Sequence, residues 1–190
     1  MMLNEKLEYV TPEDYLKLEA QSPLRHEYVA GGVYAMTGAS IRHNVIGGNI
    51  FAALRAHLKT SPCRVFMEGV KLHVARDNAY YYPDVIVSCD PRLEHLGADE
   101  TAVDQPVVLI EVLSASTAGT DRREKMTAYR KLASLKEYVL VEQDERRVEV
   151  YRRVGDVGWE HIVLDAADAL ELPSLEFRLA LAGIYEDTGI

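Results

Sequence analysis

The amino-acid sequence predicts a mixed α/β domain with one central β-sheet. Residues 107–113 form a nearly unbroken run of β-branched and aliphatic side chains, which is typical of a strand covered on both faces. Between residues 40 and 59, apolar residues recur every three or four positions, a spacing that predicts a helix. Shorter β-prone runs lie before and after these segments. This order of elements favours helices packed on a mixed sheet.

We expect a single domain over residues 1–190. The chain is 48% hydrophobic and 27% charged, the balance of a globular protein that buries a core. The sequence has no internal repeat, low-complexity stretch or Pro/Gly/Ser-rich linker that would mark a boundary. The composition therefore excludes the disordered, collagen-like and coiled-coil classes.

Charge constrains the partners that the protein can bind. The sequence has 30 Asp and Glu residues against 21 Lys and Arg residues, a formal net charge of −9. A surface with this charge repels phosphate backbones as a whole. A nucleic-acid partner would therefore require a local basic patch or metal ions.

The sequence also predicts a cytoplasmic protein without a membrane partner. Residues 1–6 lack the basic and apolar regions of a signal peptide, and no apolar run approaches the ~20 residues needed to cross a bilayer. Cys63 and Cys89 are too few for a disulfide framework or a four-ligand zinc site. We expect both to be reduced, partly buried thiols.

Capping and turn residues define the N-terminal elements. Thr11, followed by a proline, begins a short helix that ends at about Ala20. Two β-prone runs then flank Gly31-Gly32, which predicts an N-terminal β-hairpin with these glycines in the turn. In that register Glu27 lies across from Met36.

The remaining elements follow from apolar spacing. Ser40 begins a second helix that continues to about Lys59, and extending its apolar stripe backwards reaches His43. A third helix is predicted from Asp121 to Ala133, with a capping box at its start. Residues 175–185 fit a strand or a short helix, and the sequence leaves both open. The other strands are predicted at 64–67, 70–74, 81–87, 137–141, 148–153 and 159–164.

Glu111 is the most informative residue, because it interrupts the apolar run of the central strand. A carboxylate buried there must be paired, metal-bound or protonated, and buried ionisable groups are frequent at functional sites. The alternative is that the strand ends early and leaves Glu111 near its exposed end.

Asp84 presents the same problem one strand earlier. Strand alternation puts it on the face of Ile86, although an Asp after Pro often simply begins a strand. Two carboxylates that converge from adjacent strands are suitable ligands for Mg²⁺. Zinc is disfavoured, because the sequence lacks a Cys/His cluster of suitable spacing.

Lys125 is the candidate for orienting or deprotonating an attacking water. It lies one helical turn after Asp121, on a face that can look inward over the sheet. The alternative is an ordinary ion pair between Asp121 and Lys125 on a solvated surface, worth only about 0.3–0.5 kcal/mol.

Two further residues are weaker candidates. Glu27 is expected close to apolar surface. His43 extends an apolar stripe, where a histidine is more often a hydrogen-bonded core residue than a ligand. The sequence contains no Walker, dinucleotide-binding, nucleophile-elbow or His-Glu-x-x-His motif, which argues against the chemistries that depend on them.

Taken in order, these motifs resemble the PD-(D/E)xK nuclease superfamily and, more narrowly, its Uma-two family of restriction endonucleases. The resemblance extends from about Thr11 to Leu181 and is carried by the order and spacing of short motifs. These are Glu27–Gly32, His43, Pro83-Asp84, Glu111-Val112-Leu113-Ser114, Asp121, Lys125, Tyr129 and Leu135–Tyr138.

The resemblance implies a restriction-endonuclease-like fold, with a central mixed sheet flanked by helices. It also implies an endonuclease that hydrolyses phosphodiester bonds, most naturally in DNA, with Mg²⁺ or Mn²⁺ as cofactor. Asp84 and Glu111 would be the metal ligands. Glu27 would be a further ligand or water-orienting group, and His43 a supporting or substrate-contacting residue.

One position departs from the superfamily pattern. Leu113 replaces the lysine expected two residues after the strand acid, and Lys125 matches the helix lysine that substitutes for it in Uma-two-like sequences. The resemblance thus implies that Lys125 positions the water or stabilises charge on the phosphate.

The resemblance also favours a homodimer, since two sites can cut two strands. Basic residues on the predicted third helix could dock phosphates beside the site; they are Arg122, Arg123, Lys125, Arg130 and Lys131. The alternative is a non-catalytic nucleic-acid or protein interaction module on a degenerate nuclease fold, favoured by Leu113 and the acidic surface. A metal-dependent hydrolase of another phosphate or small substrate is a third possibility.

Overall fold

The computed structural model describes residues 9–36, 38–95, 97, 100–114, 117–156 and 158–190. Residues 1–6, on which the signal-peptide expectation rests, lie outside these ranges. The helices are α1 (Pro12–Glu19), α2 (Ile41–His57), α3 (Ala118–Thr120), a π-helical segment (Asp121–Lys125), α4 (Met126–Tyr129) and α5 (Leu181–Ile184).

The strands in these ranges form three sheets. They are β1 (His26–Val29), β2 (Gly32–Ala35), β3 (Arg64–Met67), β4 (Lys71–Val74), β5 (Ala79–Tyr81), β6 (Val85–Ser88), β7 (Ala102–Val103), β8 (Val108–Leu113), β9 (Glu137–Glu142), β10 (Val148–Val154), β11 (Gly158–Leu164), β12 (Ala169–Leu172) and β13 (Phe177–Ala180). Short 3₁₀ turns cover Ala75–Asp77, Pro91–Glu94 and Pro173–Leu175.

A six-stranded mixed sheet is the centre of the fold, in the order β11-β10-β9-β8-β6-β3. The β8–β9 pair is parallel, and β6 pairs with β8 in the antiparallel sense. Every residue of β8 is buried, as predicted for a central strand. The mixed α/β class is confirmed, but the expectation of one sheet is wrong. A five-stranded sheet (β2-β1-β5-β4-β7) and a β12–β13 ribbon accompany the central sheet.

The second sheet arises where a single strand was predicted at residues 81–87. The chain forms β5 and β6 instead, which belong to different sheets. Pro83 lacks the amide hydrogen that a continuous ladder would need, so residues 82–84 connect the two sheets rather than extend a strand. Asp84 therefore lies in the connection, immediately before β6.

The N-terminal hairpin is present, but its turn is one residue earlier than predicted. Ala30 and Gly31 have φ angles of 46° and 99°, the left-handed region that a tight hairpin turn requires. Gly32 belongs to β2 and pairs with Val29. Glu27 consequently lies opposite Tyr34 instead of Met36. A two-residue change of partner leaves the face of the strand unchanged.

The two faces of the six-stranded sheet carry separate parts of the core. Helix α2 covers one face, as its apolar stripe predicts, and the helical segment 118–129 covers the other. The first core includes Ile46, Ile50, Leu54, Leu58, Val108, Ile110 and Val112. The second includes Leu109, Leu113, Met126, Tyr129 and Tyr138.

The third helix differs most from its prediction. It begins at Ala118, passes through a π-helical turn at Asp121–Lys125 and ends at Tyr129. Asp121 is only 1% exposed and lies inside the helical segment, so the predicted capping box is wrong. π-Helical turns are frequently found at functional sites.

The other predictions have mixed outcomes. Thr11 and Ser40 cap α1 and α2 as expected, and both alternatives for residues 175–185 occur, as β13 followed by α5. Cys63 and Cys89 form a disulfide, so the expectation of two reduced thiols is wrong; they flank the paired ends of β3 and β6. None of the helices in the described ranges has the length and apolarity to cross a bilayer.

Candidate active site

A cleft of about 750 Å³ opens where β6 begins and β8 ends. Five of the six residues singled out in the sequence line it: His43, Asp84, Glu111, Asp121 and Lys125. The sixth, Glu27, reaches the same cluster through an ion pair with Lys125. The structure therefore brings together side chains from α2, the sheet connection, β8, the π-helical turn and β1.

Strand register places the two strand acids next to each other. Val85 pairs with Ile110 across the antiparallel β6–β8 ladder, so Asp84 and Glu111 occupy the next opposed positions. The backbone N–H of Val112 donates to Asp84 Oδ2 at 2.7 Å. This bond fixes the Asp84 carboxylate against the edge of β8.

Glu111 is buried and held by two donors. Its side chain accepts hydrogen bonds at Oε1 from Lys125 Nζ (3.2 Å) and the Tyr129 hydroxyl (2.9 Å). Burial raises the pKa of Glu111 well above its usual value, and the neighbouring Lys125 ammonium opposes the rise. The alternative of an exposed Glu111 at a strand end is thus wrong, since the residue is 3% exposed.

Lys125 lies at the centre of a carboxylate cluster. Its Nζ is 3.1 Å from Glu27 Oε1, 3.1 Å from Asp121 Oδ1 and 3.2 Å from Glu111 Oε1. Burial lowers the pKa of Lys125, but the carboxylates outweigh this effect and the pKa is raised well above its usual value. The Asp121–Lys125 pair exists, yet it is buried and shared instead of solvated, because the π-helical turn directs both side chains inward.

Glu27 connects the hairpin to this cluster. Besides the Lys125 ion pair, Glu27 Oε1 accepts a hydrogen bond from the backbone N–H of Tyr82 at 3.3 Å. Tyr82 lies in the connection that carries Asp84. One carboxylate thus joins β1, the sheet connection and the π-helical turn.

His43 is held against Asp84. Ser40 caps α2 by accepting from the His43 backbone N–H, and His43 Nε2 lies 3.3 Å from Asp84 Oδ2. Burial lowers the pKa of His43, but the hydrogen bond to Asp84, the negative charges of Asp84 and Glu68 and a backbone hydrogen bond to Val112 together outweigh burial, and the pKa is raised. His43 is therefore neither a plain core residue nor remote from the strand acids.

The loop after β3 contributes a further acid to the cleft. Glu68 has a φ of 23° and Gly69 a φ of 90°, an arrangement that is strained for the non-glycine residue. Asn44 Nδ2 donates to Glu68 Oε1 at 3.1 Å. Nothing in the local sequence pattern around Glu68 indicates that this loop reaches the cleft.

The expected basic patch is largely wrong. None of Arg122, Arg123, Arg130 and Lys131 lines the cleft. Arg122 pairs with Glu142 and Glu149, and Lys131 pairs with Asp77. The irregular helix turns these side chains toward β9, β10 and the five-stranded sheet. Of the five basic residues, Lys125 alone faces the site.

Sequence reasoning missed three groups at the site. Two are backbone N–H groups, of Val112 and Tyr82, which donate hydrogen bonds to Asp84 and Glu27. No pattern of side chains in the sequence reveals such donors. Arg25 lines the cleft mouth beside Pro23 and Leu24. Its position just before the hairpin was a possible signal, because Glu27 follows it by two residues.

The donor set fits a divalent cation that shares its shell with water and phosphate. Hydrogen bonds and ion pairs from the described residues reach Asp84 through Oδ2 and Glu111 through Oε1, which leaves one oxygen of each carboxylate for a ligand. Mg²⁺ is commonly held by one or two carboxylates. Within the same ranges, no three His, Cys, Asp or Glu side chains form a complete protein-only site.

The fold, a mixed central sheet with helices on both faces, is of the restriction-endonuclease-like class. One cleft at this sheet holds Asp84, Glu111 and Lys125. The family model described as "Uma2: Putative restriction endonuclease" matches residues 12–182. The chain therefore belongs to the Uma2 family, as the sequence motifs predicted.

Two individual relatives and one solved structure are also similar to the chain. Two uncharacterized proteins of Synechocystis sp., slr1290 and sll1609, are 32% and 33% identical over 176 and 159 residues. These alignments cover 93% and 84% of this chain, and 91% and 89% of the relatives. A crystal structure of a protein described as a "putative nuclease belonging to DUF820", from Anabaena variabilis, has the same fold. Its TM-score is 0.77 at 21% identity, over 93% of this chain and 97% of that chain.

Proposed function

We propose that the protein is a divalent-metal-dependent endonuclease that hydrolyses phosphodiester bonds in DNA. One observation carries the proposal: the Lys125 ammonium lies 3.2 Å from Glu111 Oε1, in the same cleft as Asp84. Two acids that can hold a metal ion, with an amine beside them, can stabilise the negative charge that develops in phosphoryl transfer. Membership of the Uma2 family and the shared fold support it.

Lys125 supplies from a helix the amine that Leu113 cannot supply from β8. Surrounded by three carboxylates, the ammonium keeps its proton, so we assign it the stabilisation of negative charge on the phosphoryl oxygens rather than general-base catalysis. Asp121 and Glu27 hold the ammonium in position. Their ion pairs restrict its rotamers before any substrate binds.

Asp84 and Glu111 would hold Mg²⁺, with Mn²⁺ as a substitute. A cation bound there supplies Lewis acidity and a more acidic water. The Val112 N–H and the Tyr129 hydroxyl keep the two carboxylates oriented. His43, held 3.3 Å from Asp84 Oδ2, would help to orient that carboxylate. A homodimer would place two such sites on the two strands of a duplex, and sedimentation velocity checks this point.

Isosteric variants test the proposal. Supercoiled plasmid and single-stranded DNA are incubated with the protein in Mg²⁺, in Mn²⁺ and in EDTA. We expect cutting in either metal and none in EDTA. Asp84→Asn, Glu111→Gln and Lys125→Met should each reduce the rate by about 10²–10³-fold, the usual effect of losing one charge-stabilising group. Calorimetric titration of Mg²⁺ should lose its binding heat in Asp84→Asn but keep it in Lys125→Met.

Glu145→Gln is the matched control, because Glu145 is an exposed acid in the β9–β10 turn. It should cut like the wild-type protein. Equal cutting by the wild-type protein and all three site variants would contradict the proposal. DNA binding without cutting in either metal would favour the non-catalytic interaction module instead.

A further inference from the structure

Arg25 is the exposed cation of the cleft. Among the described residues, only two Lys or Arg side chains line it, Arg25 and Lys125. Lys125 is 6% exposed and its charge is shared among three carboxylates. Arg25 is exposed at the mouth, next to Pro23 and Leu24.

The surroundings of Arg25 hold its guanidinium without neutralising it. Its Cζ lies 6.0 Å from the centroid of the Tyr82 ring, within cation–π range. The Tyr82 hydroxyl donates to Glu19 Oε1 at 2.8 Å, which fixes the ring. Within the described ranges, no carboxylate lies within 4.0 Å of the Arg25 guanidinium nitrogens.

Gly69 lies on the other side of the Arg25 guanidinium from Tyr82. A Cβ placed on Gly69 would lie 3.0 Å from Arg25 Nη2, closer than side chains normally approach. The guanidinium therefore passes across the bare Cα of the glycine, beside the strained Glu68. Tyr82 and Gly69 together orient Arg25, and its guanidinium donates no hydrogen bond to the residues that the structure describes.

The cleft lining is acidic, so a polyanionic ligand such as nucleic acid needs an exposed cation there to offset the repulsion. The lining carries four acids, Glu68, Asp84, Glu111 and Asp121, and the basic residues of the third helix are engaged elsewhere. Arginine binds phosphate through two parallel donors. We propose that Arg25 docks a backbone phosphate of the nucleic acid adjacent to the one cleaved, an inference that rests on the proposed function.

Salt dependence measures the phosphate contact directly. Anisotropy of a labelled 20-base-pair duplex is followed in Ca²⁺ from 50 to 300 mM salt. Arg25→Gln should lose one phosphate contact, so the negative slope of log binding constant against log salt concentration should become shallower by about 0.9. The affinity should fall about tenfold, as expected for one charge-assisted contact. Arg25→Lys should keep the slope and lose part of the affinity, because the charge remains but the paired donors are lost.

Arg55→Gln is the control, since it removes the same charge from an exposed position on α2 that does not line the cleft. Its slope and affinity should match the wild-type protein, and thermal unfolding should show that both Gln variants are folded. An unchanged slope in Arg25→Gln, an equal loss in Arg55→Gln, or a wild-type protein that binds no duplex would overturn the inference.

The inference and the proposed function can fail separately. Metal-dependent cutting with unaltered binding by Arg25→Gln would overturn the docking role and leave the nuclease intact. A changed slope in a protein that never cuts would support the docking role and contradict the nuclease.

Discussion

Lys125 is the counter-ion of a buried carboxylate cluster, and in the proposed function it is also the amine that acts on the phosphate. Three carboxylates from three elements converge on one buried Nζ. Each of these acids would be expensive to bury without the ammonium. The same convergence that stabilises the fold therefore also fixes the amine beside Glu111.

Removing Lys125 should consequently destabilise the protein strongly. We expect Lys125→Met to lower the free energy of unfolding by about 3–5 kcal/mol, because buried carboxylates lose their partner. Adding Glu111→Gln should recover at least about 1 kcal/mol, since one of those charges is then absent. Urea denaturation measures both values.

Lys131→Met provides the comparison, because the Lys131–Asp77 ion pair is partly exposed. Its effect should stay below about 1 kcal/mol. A Lys125→Met variant as stable as Lys131→Met would show that the buried cluster does not depend on the ammonium.

The candidate site could be predicted from the sequence as a set of residues but not as a geometry. Glu111 and Asp84 stood out because acids are rare in apolar strands. The sequence could not show that Lys125 pairs with Glu27 and Glu111 as well as with Asp121 in a buried cluster. The reason is that the π-helical turn depends on tertiary packing rather than on local spacing. The raised pKa values have the same origin, since burial and neighbouring charges from distant segments cause them.

At the scale of elements, the β1–β2 hairpin turn has a non-glycine residue, Ala30, in a backbone conformation that favours glycine. Ala30 has a φ of 46° and is exposed, and the left-handed region is unfavourable for a residue with a Cβ. Ala30→Gly should therefore raise the free energy of unfolding by about 0.5–1 kcal/mol. Thermal and urea denaturation measure the change.

Ala35→Gly is the matched control on the same hairpin. Ala35 is exposed on β2, where glycine loses backbone entropy without relieving strain, so stability should fall by about 0.5–1 kcal/mol. The strain argument would be contradicted if both glycine variants changed stability in the same direction.

A polar network on β10 should give the protein a measurable acid sensitivity. Glu149 accepts from Arg122 Nη2 at 2.9 Å and from Tyr151 at 3.2 Å, and His161 Nε2 lies 3.0 Å away. Burial raises the pKa of Glu149, but these partners outweigh burial and hold it below its usual 4.5. A depressed pKa in the folded state stabilises the protein above the unfolded pKa and stops doing so as pH falls through the folded pKa.

Glu149→Gln should therefore cost about 1–3 kcal/mol at pH 7, the loss of charged hydrogen bonds in a buried site. The difference from the wild-type protein should shrink below about pH 4.5, where the unfolded carboxylate begins to take up protons. Urea titrations at pH 7, 5 and 3.5 measure it. A difference that stays constant over this range would contradict a charged Glu149.

Elements with strong local signals were predicted well. The capping residues Thr11 and Ser40 and the apolar run of β8 each carry their information within a few positions. The division of residues 79–88 between two sheets was not predictable, because strand pairing is decided by partners far along the chain. The disulfide between Cys63 and Cys89 has the same explanation, since it follows from the pairing of β3 with β6.

At the scale of the whole molecule, the two large sheets should unfold together. Residues 82–84 pass directly from one to the other, and Glu27 of the five-stranded sheet reaches the cluster around Glu111 of the six-stranded sheet. Local unfolding that separated the two sheets would have to break the buried ion pairs around Lys125. We therefore expect one cooperative transition, in keeping with a single domain.

The single tryptophan makes this prediction measurable. Trp159 lies on β11 of the six-stranded sheet, so its fluorescence follows that sheet, whereas far-UV circular dichroism follows all strands and helices. The two urea midpoints should coincide. Separate transitions would contradict a single cooperative unit.

The Lys125 amine and the Glu111 carboxylate belong to different elements, so the proposed catalysis depends on how the helical segment 118–129 packs on the sheet. If residues 118–129 detach briefly from the sheet, Nζ leaves Glu111 while β8 remains paired on both sides. A lysine carried by β8 itself would stay in place through the same fluctuation. Mild denaturant should therefore reduce the proposed nuclease activity before it reduces the secondary-structure content. A molecule that binds residues 118–129 could likewise change the activity without binding in the cleft.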